Sequence, residues 1–105
     1  MKFENKRCLV AYYSRAGYNY VSGNIINLSV GNTEIIANMI KEKVGADSFF
    51  IDTVNPYPED YVETTEVAKI ELRNDERPEL TDEIVNMQDY DVIFLGYPNW
   101  WGTFP

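Results

Sequence analysis

Histidine is absent from this chain of 105 residues, and cysteine occurs once, at Cys8. Without histidine the chain lacks the commonest metal ligand and the usual neutral-pH base, which disfavours Ser-His and Cys-His nucleophilic catalysis. One cysteine permits no internal disulfide. Its place in the apolar run Cys8-Leu9-Val10-Ala11-Tyr12-Tyr13 makes it a core thiol of a reducing compartment. Basic residues are scarce too, with 9 Lys and Arg against 17 Asp and Glu and a formal charge of −8. That balance repels nucleic acid and anionic lipid. No stretch approaches a membrane span, and the segment from Met1 to Arg7 lacks the apolar core of a signal peptide. The expectation is a cytoplasmic protein with no nucleic-acid or membrane partner. If it is an enzyme, a cofactor carries the chemistry.

What is present is a composition 45% hydrophobic and 14% aromatic, with eight tyrosines and no low-complexity tract. It describes one packed domain over residues 1–105 and leaves no room for a second. The run from Cys8 to Tyr13, closed by Ser14-Arg15-Ala16-Gly17, has the pattern of a strand buried on both faces. Tyr18 to Val30 is rich in turn residues and reads as an ordered loop. From Asn32 the period becomes helical, with Ile35, Ile36, Met39, Ile40 and Val44 on one stripe and Gly45 as the stop.

Asp47 to Asp52 holds a second short strand around Phe49-Phe50-Ile51. A second helix is expected from about Asp60 to Asn74, with Tyr61, Thr65, Ala68 and Leu72 inward, and a short helical turn near Asp82 to Met87. Val92 to Leu95 forms a third apolar strand. Strands alternating with helices specify an α/β fold whose parallel sheet is built from right-handed crossovers.

Two constellations carry chemistry. Ser14, Arg15, Ala16 and Gly17, followed by Gly31, Asn32 and Thr33, offer hydroxyls, a glycine backbone and free helix N–H groups of the kind that bind a phosphate. Ordinary capping by Asn32 or Thr33 explains the same residues structurally. There is no Gly-Lys-Ser/Thr of a Walker loop and no Gly-x-Gly-x-x-Gly dinucleotide fingerprint. The second constellation is Tyr97-Pro98-Asn99-Trp100-Trp101-Gly102, adjacent tryptophans in a Pro/Gly-shaped loop directly after the third strand. Their rings suit a planar aromatic ligand, although core or interface packing is the usual use of tryptophan. In a doubly wound sheet both loops converge on the point where strand order reverses.

The opening Tyr13-Ser14-Arg15-Ala16-Gly17, the helix start Gly31-Asn32-Thr33-Glu34, the Pro56-Tyr57-Pro58 loop and the run from Phe94 to Gly102 together resemble the flavodoxin family. The resemblance implies a flavodoxin-like doubly wound sheet of order 2-1-3-4-5, of which this chain supplies the first three strands in the order 2-1-3. It implies FMN as cofactor, with the phosphate at Ser14, Arg15, Ala16, Gly17, Asn32 and Thr33. The flavin ring and ribityl chain would lie at Pro98, Asn99, Trp100, Trp101 and Gly102. Electron transfer or reduction of a quinone-type small molecule is the implied function, with a redox protein or small molecule as acceptor.

The segment from Tyr18 to Val30 interrupts the phosphate loop and leaves open whether Gly17 or Gly31 makes the turn. Strand three, apolar on both faces and lacking Lys or Pro, is expected to be an exposed edge. The expectation is a piece of a longer domain, or a homodimer paired through Val92 to Leu95. The rival reading is a flavodoxin-like interaction module that dimerises through this edge and binds no flavin.

Overall fold

The computed structural model describes residues 5–84 and 86–101. Its centre is β1 (Cys8–Tyr12), every residue of which is buried. An almost unbroken apolar pentapeptide has no solvent-compatible face, so it is stable only with strands on both edges and cover on both sides. β1 pairs in parallel with β4 (Asp47–Phe50) on one edge and with β5 (Val92–Gly96) on the other. The resulting order, β4-β1-β5, is the order 2-1-3 expected of the three sheet strands. Helices α1 (Asn32–Val44) and α2 (Tyr61–Arg73) make the two crossovers.

α1 ends at Gly45, whose left-handed backbone at φ 66° lets its N–H reach the Lys41 carbonyl. Its buried face is not the expected stripe. Ala37 is buried, with Ile40 and Val44 packed partly against Cys8, Val10 and Tyr12, whereas Ile35, Ile36 and Met39 face outward. Positions 37, 40 and 44 lie on one side of a 3.6-residue helix. The bulky strand side chains favour the smallest residue at the contact, so the largest apolar residues are left outside.

α2 is capped by Asp60, whose carboxylate accepts from the Glu63 N–H at 2.9 Å. Here the buried residues are Thr64 and Ala68, while Leu72 is exposed and Tyr61 and Thr65 are half-buried.

The segment from Tyr18 to Val30, expected as a loop, contains a β-hairpin. β2 (Gly17–Val21) and β3 (Asn24–Leu28) pair antiparallel around the two-residue turn Ser22-Gly23. Both turn residues have positive φ, 49° and 89°, which matches the twist of a tight hairpin. Asp82 to Ile84 carry no helix, and the helical turn in that region is a 3-10 turn at Met87–Asp89. No strand among the described residues pairs with the far edge of β5, where Leu95 is 62% exposed.

The face assignment of α1 is testable by urea denaturation. Ala37→Leu overpacks the helix–strand contact and is expected to cost about 1–3 kcal/mol. Ile36→Ala, on the outer side, should change stability by no more than about 0.5 kcal/mol.

Candidate functional site

Strand β1 runs directly into the phosphate-type turn, and α1 begins where that turn closes. Gly31 makes the close approach: a Cβ there would stand 2.2 Å from Ser14 Oγ and 2.7 Å from the Arg15 carbonyl oxygen. Only glycine fits. Gly17, at φ 85°, opens the hairpin and has free space around it. Position 31 thus requires glycine for close approach, and position 17 favours it for its backbone conformation.

Ser14 is buried, and its Oγ accepts from the Glu34 N–H at 3.0 Å, capping the helix from outside its own sequence. The Ile35 N–H bonds the Gly31 carbonyl. The N–H groups of Asn32 and Thr33 then stand at the positive end of the helix without a hydrogen-bond partner among the described residues.

β5 delivers the second loop to the same place. A methyl group on Gly96 would lie 3.3 Å from Thr33 Cγ2 and 3.4 Å from Tyr12 Cβ, so strand end and helix start are in contact. Beyond Gly96 the two tryptophans part company. Trp100 is half-buried, edge-on to Tyr13 at 5.6 Å and to Tyr57 at 5.0 Å, and Tyr13 stacks on Phe50 at 6.4 Å. Trp101 takes φ 53° and lies against α2. Its indole N–H donates to the Thr65 carbonyl at 2.9 Å, and the Lys69 ammonium sits 5.6 Å from its ring centre. Pro98 is half-buried and Asn99 exposed, while Gly102 lies outside the described residues.

The Arg15 side chain is engaged elsewhere than the α1 N-terminus. Its guanidinium donates to the carbonyls of Tyr18, Pro58 and Glu59, the last two at 2.8 and 2.5 Å, and to Thr64 Oγ1 at 3.1 Å. Thus Arg15 ties the hairpin to the start of α2. Asn19 reinforces the turn by donating to the Arg15 carbonyl at 2.8 Å. Ala16 is exposed and Gly17 half-buried beside them.

Two clefts flank Trp100. One, of about 520 Å³, lies among Tyr13, Tyr57, Leu72, Leu80, Leu95 and Trp100. The other, of about 250 Å³, is bounded by Arg15, Asn19, Thr64, Asn99, Trp100 and Trp101. Neither reaches Asn32 or Thr33, so Gly96, in the wall of the larger cleft, is the link to the helix end. Tyr13 and Tyr57 line the larger cleft and Asn19 and Thr64 the smaller, though none of the four stands among the residues the sequence proposed for a ligand. The Pro56-Tyr57-Pro58 spacing, which holds a ring between two rigid residues, was the available signal for Tyr57. Among the described residues no cluster of acidic or cysteine side chains could hold a metal ion. No helix is long and apolar enough to cross a membrane.

Burial pushes the Tyr13 hydroxyl up to about 12, with the nearby Asp52 and Glu71 carboxylates adding and Arg15 opposing. Tyr57 is raised as well, first by burial and then by its 2.7 Å hydrogen bond to Glu71. A tyrosine raised in the folded state stabilises the fold fully below its unfolded pKa of about 10 and loses that contribution as pH climbs through the folded value. Alkaline unfolding followed by tyrosinate absorbance and circular dichroism should therefore set in between pH 10 and about 12. Tyr13→Phe is expected to move its midpoint upward.

A family model described as flavodoxin matches residues 7–105. A candidate flavoprotein from Bacteroides eggerthii is 28% identical, with a TM-score of 0.73 over 96% of this chain and 57% of that one. A flavoprotein in complex with FMN from Lactobacillus acidophilus is 20% identical, with a TM-score of 0.70 over 94% of this chain and 59% of that one, a likeness of fold. The chain thus spans less than two thirds of either structure. No curated protein matches it. With a parallel β4-β1-β5 sheet, a glycine-made turn at the first helix and a family match from Arg7 onward, the chain belongs to the flavodoxin family.

Proposed function

We propose that this chain binds FMN and serves electron transfer or the reduction of a quinone-type small molecule. The observation that carries this reading is the contact of Gly96 with Thr33, which brings helix N–H groups that have no partner among the described residues beside the aromatic loop. The Lactobacillus flavoprotein, crystallised with FMN on the same fold, supports it. The residues fit the group. Gly31, lacking a Cβ, lets the main chain close on Ser14, and Asn32 and Thr33 would hold the phosphate through their N–H groups and the threonine hydroxyl. Arg15, Ala16 and Gly17 would line it with main chain, since the Arg15 guanidinium is already engaged.

Pro98, Asn99, Trp100, Trp101 and Gly102 would flank the ring. Tyr13 and Tyr57 hold Trp100 from behind, so this aromatic surface is fixed before any ligand arrives. Bound FMN would supply reversible one- and two-electron chemistry. A chain of charge −8 disfavours added negative charge and so lowers the potential at which electrons are accepted. The buried free thiol of Cys8 fits a cytoplasmic setting.

A second reading rests on the far edge of β5, which no described strand pairs: a module that pairs through this edge and binds no flavin. FMN titration separates the two. Quenched flavin fluorescence and a shifted flavin spectrum are expected, and their absence would sink the first reading. Thr33→Ala should weaken FMN by roughly tenfold, the worth of one hydrogen bond to a charged group, while leaving riboflavin affinity unchanged.

A further inference from the structure

The hairpin has two edges, and they are not alike. Because the two-residue turn closes on Val21 and Asn24, the pairs Val21–Asn24, Asn19–Ile26 and Gly17–Leu28 exchange hydrogen bonds across the hairpin. The alternate residues turn their backbone groups outward: Tyr18 and Tyr20 on β2, Ile25 and Asn27 on β3. On β2 the outward Tyr18 carbonyl is taken by Arg15, and Tyr20 stacks on Tyr61 of α2 at 6.1 Å. On β3 the outward groups of Ile25 and Asn27 have no hydrogen-bond partner among the described residues. Ile25 and Ile26 occupy opposite faces and are nevertheless 52% and 42% exposed. A two-stranded ribbon that packs on α2 only through β2, leaving β3 open on both faces, is marginal alone.

Charge identifies what completes it. From Ala16 to Thr33 the sequence contains no charged residue, although the chain as a whole carries −8. A basic partner would seek the acidic remainder of the surface. Another copy of this acidic chain meets least repulsion along the uncharged ribbon. The edge also lacks the lysine, proline or bulge that blocks strand pairing.

We infer that β3 is a self-association edge, pairing antiparallel with β3 of a second copy about a two-fold axis to make a four-stranded sheet. The outward groups fix the register. Ile26 lies opposite Ile26 of the partner subunit, and Ile25 lies opposite Asn27 of the partner subunit. Two such Ile25–Asn27 pairs exchange both backbone hydrogen bonds, and the central isoleucines form the close, non-hydrogen-bonded pair.

Sedimentation equilibrium of the whole chain, without flavin, should show a species of twice the 12.2 kDa chain mass. Asn27→Pro deletes an outward N–H and no hydrogen bond within the hairpin, so it should weaken the dimer roughly tenfold or more. Ile26→Cys provides a readout that does not depend on tolerating proline. A two-fold non-hydrogen-bonded pair brings the sulfurs into disulfide range, so air oxidation should link two copies quickly. Ser22→Cys, at the turn, should not link. A chain that stays monomeric at millimolar concentration overturns the inference. So does a dimer that survives Asn27→Pro but is dissociated by Leu95→Lys, because it would then be built on β5. Equal cross-linking at positions 22 and 26 would overturn the register.

Discussion

The close approach of Gly31 to Ser14 and to the Arg15 carbonyl is the constraint on which the rest depends. It ends β1 and starts α1 within one contact, although a hairpin intervenes in sequence. Since Ser14 Oγ caps Glu34, the helix is oriented by the strand it leaves and not by its own N-cap residue. Any side chain at position 31 would push the helix outward, and with it Ala37, Ile40 and Val44, which cover β1. Thr33 would then leave Gly96, separating the helix end from the aromatic loop. Helix packing and the approach of the aromatic loop to the helix end are thus set by the same missing Cβ.

The aromatic loop divides labour between its tryptophans. Trp100 is half-buried, in edge-on contact with both Tyr13 and Tyr57, and forms a wall common to both clefts. Trp101 remains 52% exposed, held on α2 by one hydrogen bond and a lysine. A flat ligand meeting this loop therefore encounters one ring that is structurally fixed and one whose position can change at small energetic cost.

The sheet was legible in the sequence because Cys8–Tyr12 and Val92–Gly96 are near-continuous apolar runs. The first is buried on both faces as such a run implies, whereas on the second Val92 and Phe94 are half-buried and Ile93 and Leu95 stay exposed. Helix extents were legible from Asp60 and Gly45. The inward face of α1 was not, since a ranking by side-chain size favours Ile36 over Ala37 while close packing rewards the reverse. The hairpin escaped because Ile25 and Ile26 are adjacent and break the alternation that marks a half-buried strand. Arg15 stands in a turn where a cation suggests an anion. Its carbonyl partners at Pro58 and Glu59 come from more than forty residues away, and no local pattern announces them. For the candidate site, Gly31, Asn32 and Thr33 carried a recognisable helix start, whereas Tyr13 and Tyr57 stood in recognisable motifs but their place beside Trp100 depends on tertiary contacts that no local pattern announces.

The pairing of β1 with β5 has a temporal side. Arg7 and Asp91, joined by a backbone-to-carboxylate hydrogen bond at the base of that pair, are 84 residues apart. The central strand acquires its second neighbour only through that long-range loop closure, a non-local parallel pairing of the kind that slows folding. During synthesis β1 emerges well before β5 and keeps an unpaired apolar edge until β5 follows it. That edge is the segment most in need of a chaperone's protection before β5 arrives.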